Sequence, residues 1–263
     1  MGDSTKRHRI WIQGATDEIG HKPYLDALLP HVAACADPDF DLVFHTLTPS
    51  VTSVHALTEM RFARGVVRAA LQAEREGWDA FYMNHFQDVG LMEARAAVGI
   101  PVLGLGETTL LHACTLGRRL GLIAIHPAFI AHHADQVARY GLGARVVGIR
   151  SMNASIAEHM AAFADPIPRA VLRASFETQA RILLDAGADV IVPTGGIPMM
   201  MFGAERGAHI DGAPVVDGVA VIVKAAEMAV KLRAISGLGP SRALHSGQAL
   251  PSPAVVEEFL SHG

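Results

Sequence analysis

Two segments of the sequence combine residue types that are typical of small-molecule sites. His85 lies in the run Asn84–Asp88, and an imidazole with an ordinary pKa of about 6.5 can accept or donate a proton at neutral pH. Thr194 is followed by Gly195 and Gly196, and backbone N–H groups in such loops bind carboxylates and oxyanions. We therefore predict that His85 is the catalytic residue of a site that holds its substrate near the two glycines.

The remaining candidates share a position just after a predicted strand, where open parallel sheets bind their ligands. The predicted substrate-binding residues are Gln13, Thr16, Phe86, Gln87, His126, Thr194, Gly195 and Gly196. Structural alternatives stay open at this point. His85 could be hydrogen-bonded within its own loop, Thr16 could cap a helix, and the glycines could merely permit a tight turn. Asp88 is expected to have a structural role, whereas Glu107 and Asp217 could either cap helices or take part in the chemistry.

The elements that would position these residues alternate along the chain between short apolar runs and longer helical patterns. The predicted strands are Ile10–Gln13, Leu42–His45, Ala80–Asn84, Val102–Gly104, Leu122–Ala124, Val146–Ile149, Val190–Pro193 and Val215–Asp217. The predicted helices include Glu59–Glu76, Thr108–Leu120, Ala154–Ala164, Arg169–Ala186 and Val219–Ile235. Short buried strands that alternate with helices predict an α/β fold with parallel sheets covered on both faces.

An internal repeat indicates that this pattern occurs twice. Gly77–His85 matches Gly187–Gly195 by residue class, and Gly99–Gly104 matches Gly212–Asp217. We interpret the repeat as two pseudo-symmetric lobes, each with a four-stranded parallel sheet flanked by helices, and with the active site in the cleft between them. The alternative is a chance recurrence of short strand motifs.

The repeat also suggests domain boundaries. Residues 1–100 with 211–235 form the first predicted lobe, residues 101–210 form the second, and residues 236–263 form a C-terminal extension. Ser236–Pro240 contains helix breakers. Ser252 and Pro253 predict the start of a short helix that reaches about Leu260. We expect this helix to pack on the lobes or on a neighbouring subunit.

Composition excludes several classes of protein. Half of the 263 residues are hydrophobic and 18% are charged, which is unlike a disordered chain. A net charge of −4 gives no basic field for nucleic acid. The most apolar stretch, Val215–Val230, contains three charged residues and is not expected to span a membrane. Two cysteines and no apolar leader segment predict a cytoplasmic protein.

Four motifs resemble those of one enzyme family. Asn84–Leu91 resembles the Cys-Phe-x-Asp-Pro-Gly-Leu signature of hydantoin racemases, and Gly99–Glu107 resembles their Pro-Val-x-Gly-x-Gly-Glu segment. Ala188–Gly196 resembles their second cysteine segment, and Pro214–Asp217 resembles their Pro-Val-Ile-Asp. The order and spacing over residues 9–235 identify the chain as a member of the Asp/Glu/hydantoin racemase superfamily, to which arylmalonate decarboxylase and maleate isomerase also belong.

The resemblance implies a cofactor-independent enzyme that acts on a small carboxylate or cyclic ureide, with the chain forming a homo-oligomer. In the family one cysteine from each lobe transfers a proton, but the two corresponding positions hold His85 and Gly195. The resemblance thus implies a racemase-like isomerase with a histidine-based site in place of the cysteine pair. Alternatives are a lyase, a decarboxylase or a hydrolase on the same scaffold, or a non-catalytic small-molecule binder.

A metal-dependent hydrolase is a further alternative, because the chain has 14 histidines. In that interpretation His85 would share a metal with His126 or His209. No pair of histidines with helical spacing and a third ligand is apparent in the sequence, so no metal site is predicted. No cofactor is predicted either, because Gly104–Glu107 lacks the third glycine of a dinucleotide-binding motif.

Overall fold

The computed structural model describes residues 7–17, 19–50, 55–203 and 205–262. Within them, two parallel sheets are flanked by helices. The first sheet has four strands in the order β2-β1-β3-β4. Its strands are β1 (His8–Gln13), β2 (Phe40–His45), β3 (Ala80–Met83) and β4 (Val102–Gly104). The helices that follow these strands are α1 (Lys22–Cys35), α2 (Ala56–Arg75), α3 (Leu91–Ala97) and α4 (Leu105–Leu116).

The second sheet has three strands in the order β6-β5-β7. They are β5 (Leu120–Ala124), β6 (Val146–Ser151) and β7 (Val190–Pro193). The helices of this part are α5 (Phe129–Arg139), α6 (Ile156–Ala164), α7 (Pro166–Asp185) and the short α8 (Gly196–Met199). A two-stranded antiparallel ribbon follows, made of β8 (His209–Ile210) and β9 (Ala213–Pro214), and then α9 (Gly218–Ser236).

Burial on both faces explains why the central strands read as continuous apolar runs. Every residue of β3, β5 and β7 is buried. One apolar cluster includes Tyr82 of the first sheet and Val192 of the second, together with Leu110 of α4 and Ile222 of α9. The two sheets therefore share a core, as expected for parallel sheets with helices on both faces.

The α/β class with parallel sheets was predicted correctly, but the second sheet has three strands where four were expected. The strand predicted at Val215–Asp217 is reduced to a single parallel bridge between Val215 and Ile191. The residues before it, Ala213 and Pro214, pair instead with β8. Pro214 has no N–H to donate to a parallel ladder, so this edge of the second sheet remains short.

One strand of the second predicted lobe lies in the first sheet. Val102–Gly104 pairs with Phe81–Met83 of β3, in the first sheet, although residues 101–210 were assigned to the second lobe. The bridge at Val215 likewise joins residues of the first predicted lobe to the second sheet. The exact division of the chain into two lobes stays a prediction.

The C-terminal extension forms the expected helix, α10 (Pro253–His262). It packs on α2, where the guanidinium of Arg68 donates to the carbonyl of Leu260 at 2.6 Å. Val256, Phe259 and Leu260 join the apolar cluster beneath α2. The helix was expected to pack either on the lobes or on a neighbouring subunit, and in the structure it packs on its own chain. None of the described helices is long and apolar enough to cross a membrane.

Candidate active site

The ends of four strands meet at one pocket with a cavity volume of about 90 Å³. Ala15 and Thr16 follow β1, Asn84–Gln87 follow β3, Ile125 follows β5, and Thr194–Gly196 follow β7. This is where open parallel sheets bind ligands. The other lining residues come from helices and loops nearby, and are His21, Tyr24, Glu59, Phe129, Ile156, Ile197 and Pro198.

The loop that carries His85 is fixed by Asp88, which does not line the pocket. The Asp88 carboxylate accepts hydrogen bonds from the N–H groups of Gly106 and Glu107, at 3.0 and 2.6 Å, at the start of α4. The hydroxyl of Tyr140 donates to it at 2.7 Å. Burial raises the pKa of Asp88 to about 7. Asp88 therefore has the expected structural role, and it ties the β3–α3 loop to α4 and α5.

His85 is half-buried and its Nδ1 atom is fully buried, with no hydrogen-bond partner among the described residues. Its ring lies 4.7 Å from that of Phe62 of α2, centroid to centroid. Burial, with smaller contributions from the neighbouring His133 and His132, lowers the pKa of His85 to about 3. The imidazole is therefore neutral at pH 7, and its buried nitrogen is free to bond a ligand.

Glu59 is a pocket residue that the sequence analysis did not select. It lies in the first turn of α2, only 6% exposed, and burial raises the pKa of its carboxyl to about 7. A signal was available: Glu59, Phe62 and Val66 recur at helical spacing, and the last two are wholly buried. A carboxyl group at an apolar position of a helix is unusual enough to mark a functional candidate.

The second-sheet side of the pocket is formed by Thr194, Gly195 and Gly196. The Thr194 hydroxyl donates to the carbonyl of Ile123 at 3.2 Å, and the Gly195 N–H donates to the carbonyl of Pro193 at 3.2 Å. Gly195 has a φ of +148°, which favours glycine. The Thr194 hydroxyl and the Gly195 N–H are thus bonded within the protein, as in the alternative that this segment only forms a tight turn.

Buried polar atoms without a partner concentrate at this pocket. Ten such side-chain atoms occur among the described residues, and five of them belong to pocket residues. They are Thr16 Oγ1, His21 Nδ1, Glu59 Oε2, Asn84 Oδ1 and His85 Nδ1. A buried polar atom that lacks a hydrogen bond costs about 1–3 kcal/mol. Several at one pocket indicate a site that is built to bond a polar ligand.

The sequence model of the Asp/Glu/Hydantoin racemase family matches residues 22–226. The chain belongs to this racemase family. Two curated hydantoin racemases are similar in sequence, one from Pseudomonas sp. (strain NS671) at 29% identity over 168 residues and one from Rhizobium meliloti at 28% over 163 residues. These matches cover 64% and 62% of this chain and 65% of each relative.

Solved structures show the same fold. Allantoin racemase from Klebsiella pneumoniae superposes with a TM-score of 0.76 at 21% identity, over 93% of this chain and 94% of that one. Allantoin racemase from Pseudomonas fluorescens gives 0.75 at 20% identity, over 93% and 97%. The family model confirms the family assignment made from the sequence motifs, and these structures confirm the α/β class.

The structure places six of the candidate residues besides His85 at the pocket of this racemase family member: Thr16, Phe86, Gln87, Thr194, Gly195 and Gly196. It does not bring Gln13 there. The Gln13 side chain is 1% exposed, donates to the carbonyls of Gly14 and His45, and accepts from the indole of Trp11. Its amide is bonded within the first sheet, and a binding role for Gln13 stays a prediction.

His126 is also absent from the pocket lining. It is exposed, and its Nδ1 accepts from the N–H of Ala128 at 3.2 Å, so it supports the start of α5 instead. His209 is exposed in β8, and its Nδ1 bonds the carbonyl of Gly207. Within the described ranges no three His, Cys, Asp or Glu side chains are placed to hold a metal ion.

The two cysteines lie outside the pocket lining of this family member, and both are free thiols. Cys35 Sγ lies 3.8 Å from His31 Nε2, whose other contact is Asp217 Oδ2 at 2.8 Å. Asp217 also accepts from the N–H of Ala220 and so caps α9. Glu107 pairs with Arg95 at 2.6 Å. Both carboxylates therefore make structural contacts and lie outside the pocket lining.

Proposed function

We propose that the chain is a cofactor-independent, racemase-like enzyme that moves a proton at a carbon next to a carbonyl group of a small carboxylate or cyclic ureide, with His85 in place of thiol chemistry. The observation that carries this proposal is the set of five buried polar atoms around the pocket that have no hydrogen-bond partner among the described residues. Membership of the racemase family and the curated hydantoin racemases support the reaction class.

The dimensions and lining of the pocket support a small substrate. A cavity of about 90 Å³ is well below the roughly 300–1,000 Å³ typical of drug-sized ligands. Apolar side chains such as Ile125 and Phe129 form part of the wall, and polar atoms are few and specific. A wall of this kind excludes water while a limited number of groups orient the reacting carbon.

His85 suits the role of proton acceptor because it is neutral at pH 7. A low pKa alone would make it a weak base. Negative charge that develops on the substrate oxygen as the proton leaves favours the imidazolium form, so the pKa of His85 rises as the reaction proceeds.

Proton exchange with solvent tests this function. The probes are enantiopure 5-methylhydantoin, allantoin and aspartate in D₂O, followed by NMR for loss of the proton on the stereogenic carbon. Wild-type protein is expected to exchange at least one of them above the rate without protein. His85→Ala is expected to reduce that rate by about 10²–10⁴-fold, as for loss of a positioned acid or base.

The matched control is His112→Ala, which removes an exposed histidine that does not line the pocket. Thermal unfolding checks that both variants fold. Full activity in folded His85→Ala would remove His85 from the mechanism. Binding of a probe without exchange would favour the non-catalytic binder, and cleavage of a probe would favour the lyase, decarboxylase or hydrolase alternative.

Two further properties belong to the proposal. We propose a cytoplasmic location, supported by Cys35 and Cys114 being free thiols. We also propose a homo-oligomer, as the family resemblance implies. The molar mass of the purified protein by light scattering tests the second property, because a monomer would give 27.9 kDa.

A further inference from the structure

Glu59 and His85 reach the pocket from adjoining parts of the first-sheet half. Glu59 and Phe62 are three residues apart on α2 and therefore lie on the same face of that helix. The Phe62 ring contacts the His85 ring, with centroids 4.7 Å apart. The helix face that carries the Glu59 carboxyl is thus the face that packs against the proposed base, and both side chains line the same cavity.

The surroundings of Glu59 do not favour a carboxylate. The side chain is 6% exposed. In the part of the chain that the structure describes, Oε2 has no hydrogen-bond partner and no lysine or arginine lines the pocket. Burial alone raises the pKa of Glu59 to about 7. A substantial fraction of the carboxyl groups therefore carries a proton at neutral pH, and that proton is available to an acceptor in the cavity.

A purely structural role does not account for this arrangement. Structural buried carboxyls in this chain are bonded several times, as Asp88 is by two backbone N–H groups and the Tyr140 hydroxyl. Glu59 has no comparable bonds among the described residues, and an unbonded buried polar group is costly. A ligand with a carbonyl or carboxyl oxygen would supply the missing partner.

We propose that Glu59 is a catalytic acid that acts together with His85, donating its carboxyl proton to the substrate carbonyl oxygen while His85 removes the proton from the adjacent carbon. This inference rests on the proposed function. It follows the general pattern in which one group is held neutral as an acceptor and a neighbouring group is held protonated as a donor.

The proposed step balances in protons and electrons. The C–H bond breaks and its proton forms an N–H bond on His85, while the C–H electron pair becomes the carbon–carbon π bond. The carbonyl π pair forms an O–H bond with the proton of Glu59, which leaves an enol, a carboxylate and an imidazolium. The reverse step returns both protons, and no oxidant or reductant is required.

The pH dependence separates this role from a structural one. Among the described residues, the titratable side chains that line the pocket are His21, Tyr24, Glu59 and His85. His21 lies 3.7 Å from the carboxylate of Asp17. A general acid works only when protonated, so kcat/KM of the wild type is expected to fall as pH rises through the pKa of Glu59. Glu59→Gln is expected to remove that alkaline decline.

The experiment measures deuterium exchange into enantiopure 5-methylhydantoin, allantoin and aspartate from pH 5 to 9. Glu59→Gln keeps the shape of the side chain but has no carboxyl proton, and we expect kcat to fall about 10²–10⁴-fold with a smaller change in KM. Glu93→Gln removes an exposed carboxyl outside the pocket and should match the wild type. Thermal unfolding checks folding, and Glu59→Asp, which retains the acid, should recover part of the rate.

Each outcome decides between the proposals. A wild type that exchanges none of the probes overturns the proposed function and the role of Glu59 with it. An active wild type with a folded, equally active Glu59→Gln overturns the role of Glu59 alone. A slowed Glu59→Gln that retains the alkaline decline also overturns it, because the group that titrates is then another one.

Discussion

A methyl group at position 196 would not fit beside the pocket. A Cβ atom there would come within 2.3 Å of the Tyr24 hydroxyl, which accepts a hydrogen bond from Asn84 at 3.0 Å. We predict that Gly196→Ala displaces Tyr24, reduces the proton-exchange rate by at least about 10-fold and destabilises the fold by about 1–3 kcal/mol. Exchange assays and urea denaturation measure the two effects.

Gly143→Ala is the control for this substitution, because a Cβ atom at Gly143 meets no heavy atom within 4 Å. It should leave activity and stability close to those of the wild type. Tyr24→Phe removes the hydroxyl that a new methyl group would strike, so the double variant with Gly196→Ala should regain stability. A Gly196→Ala protein with normal exchange kinetics would show that close packing here does not shape the site.

At the level of single residues, the sequence predicted which residues lie at the strand ends better than it predicted what their side chains contact. The rule that ligands bind after parallel strands led to His85 and Gly196, which line the pocket. The same rule selected Gln13 and His126, whose side chains bond their own loop or sheet. Strand order gives the edge of the sheet at which a residue lies, but its hydrogen-bond partners come from tertiary packing. Glu59 was missed because it lies on a helix.

At the level of elements, Asp217 connects α9 to α1. Its Oδ1 accepts from the N–H of Ala220 at 3.0 Å and its Oδ2 bonds His31 Nε2 at 2.8 Å. That hydrogen bond, with a smaller one from Cys35, raises the pKa of His31 to about 10. The pairing therefore holds the histidine charged at neutral pH, between two helices that pack on the first sheet.

We predict that Asp217→Ala destabilises the protein by about 1–2 kcal/mol through the lost helix cap, with a further loss from the ion pair. Asp217→Asn retains a good capping side chain and loses the charge, so it isolates the ion pair. Because the folded pKa of His31 is raised, the stabilisation is fully present below about pH 6.5 and is lost as pH rises through about 10.

Urea denaturation at pH 6, 8 and 10 measures this dependence. The difference in unfolding free energy between the wild type and Asp217→Asn should shrink towards pH 10. Asp135→Asn, in an exposed position of α5, serves as the control for loss of a carboxylate. A difference that stays constant with pH would mean that the charge on His31 does not depend on Asp217.

Both the correct and the incorrect strand predictions were made from runs of apolar residues. Buried β-branched runs such as Val190–Pro193 leave little choice of structure, and their observed bounds match the prediction. The strand expected at Val215–Asp217 is an apolar run as well, yet only Val215 bridges to the sheet. An apolar pattern predicts that a segment is buried, but not which strand it pairs with. Here the pairing of β8 with β9 depends on a turn at Asp211 and Gly212, which both have a positive φ.

On the scale of the whole molecule, the two sheet halves contribute unequally to the pocket. The titratable residues in the described lining, His21, Tyr24, Glu59 and His85, come from the part of the chain that builds the first sheet. The residues contributed after β5 and β7, from Ile125 to Pro198, are apolar, glycine or threonine. The fold is pseudo-symmetric, but the chemistry of its pocket is one-sided.

This asymmetry predicts the stereochemistry of the reaction. Racemisation needs proton removal on one face of the carbon and delivery on the other. Among the described residues, the second-sheet side of the pocket offers no titratable side chain. We expect the wild type to exchange the proton of one enantiomer in D₂O with retention, faster than it interconverts the two. Chiral chromatography with mass spectrometry of each pure enantiomer of 5-methylhydantoin, allantoin or aspartate measures both rates, with His85→Ala as the inactive reference. Rapid interconversion with deuterium gained on inversion would show that a second face is served, and would contradict a site whose acid and base both come from one half of the fold.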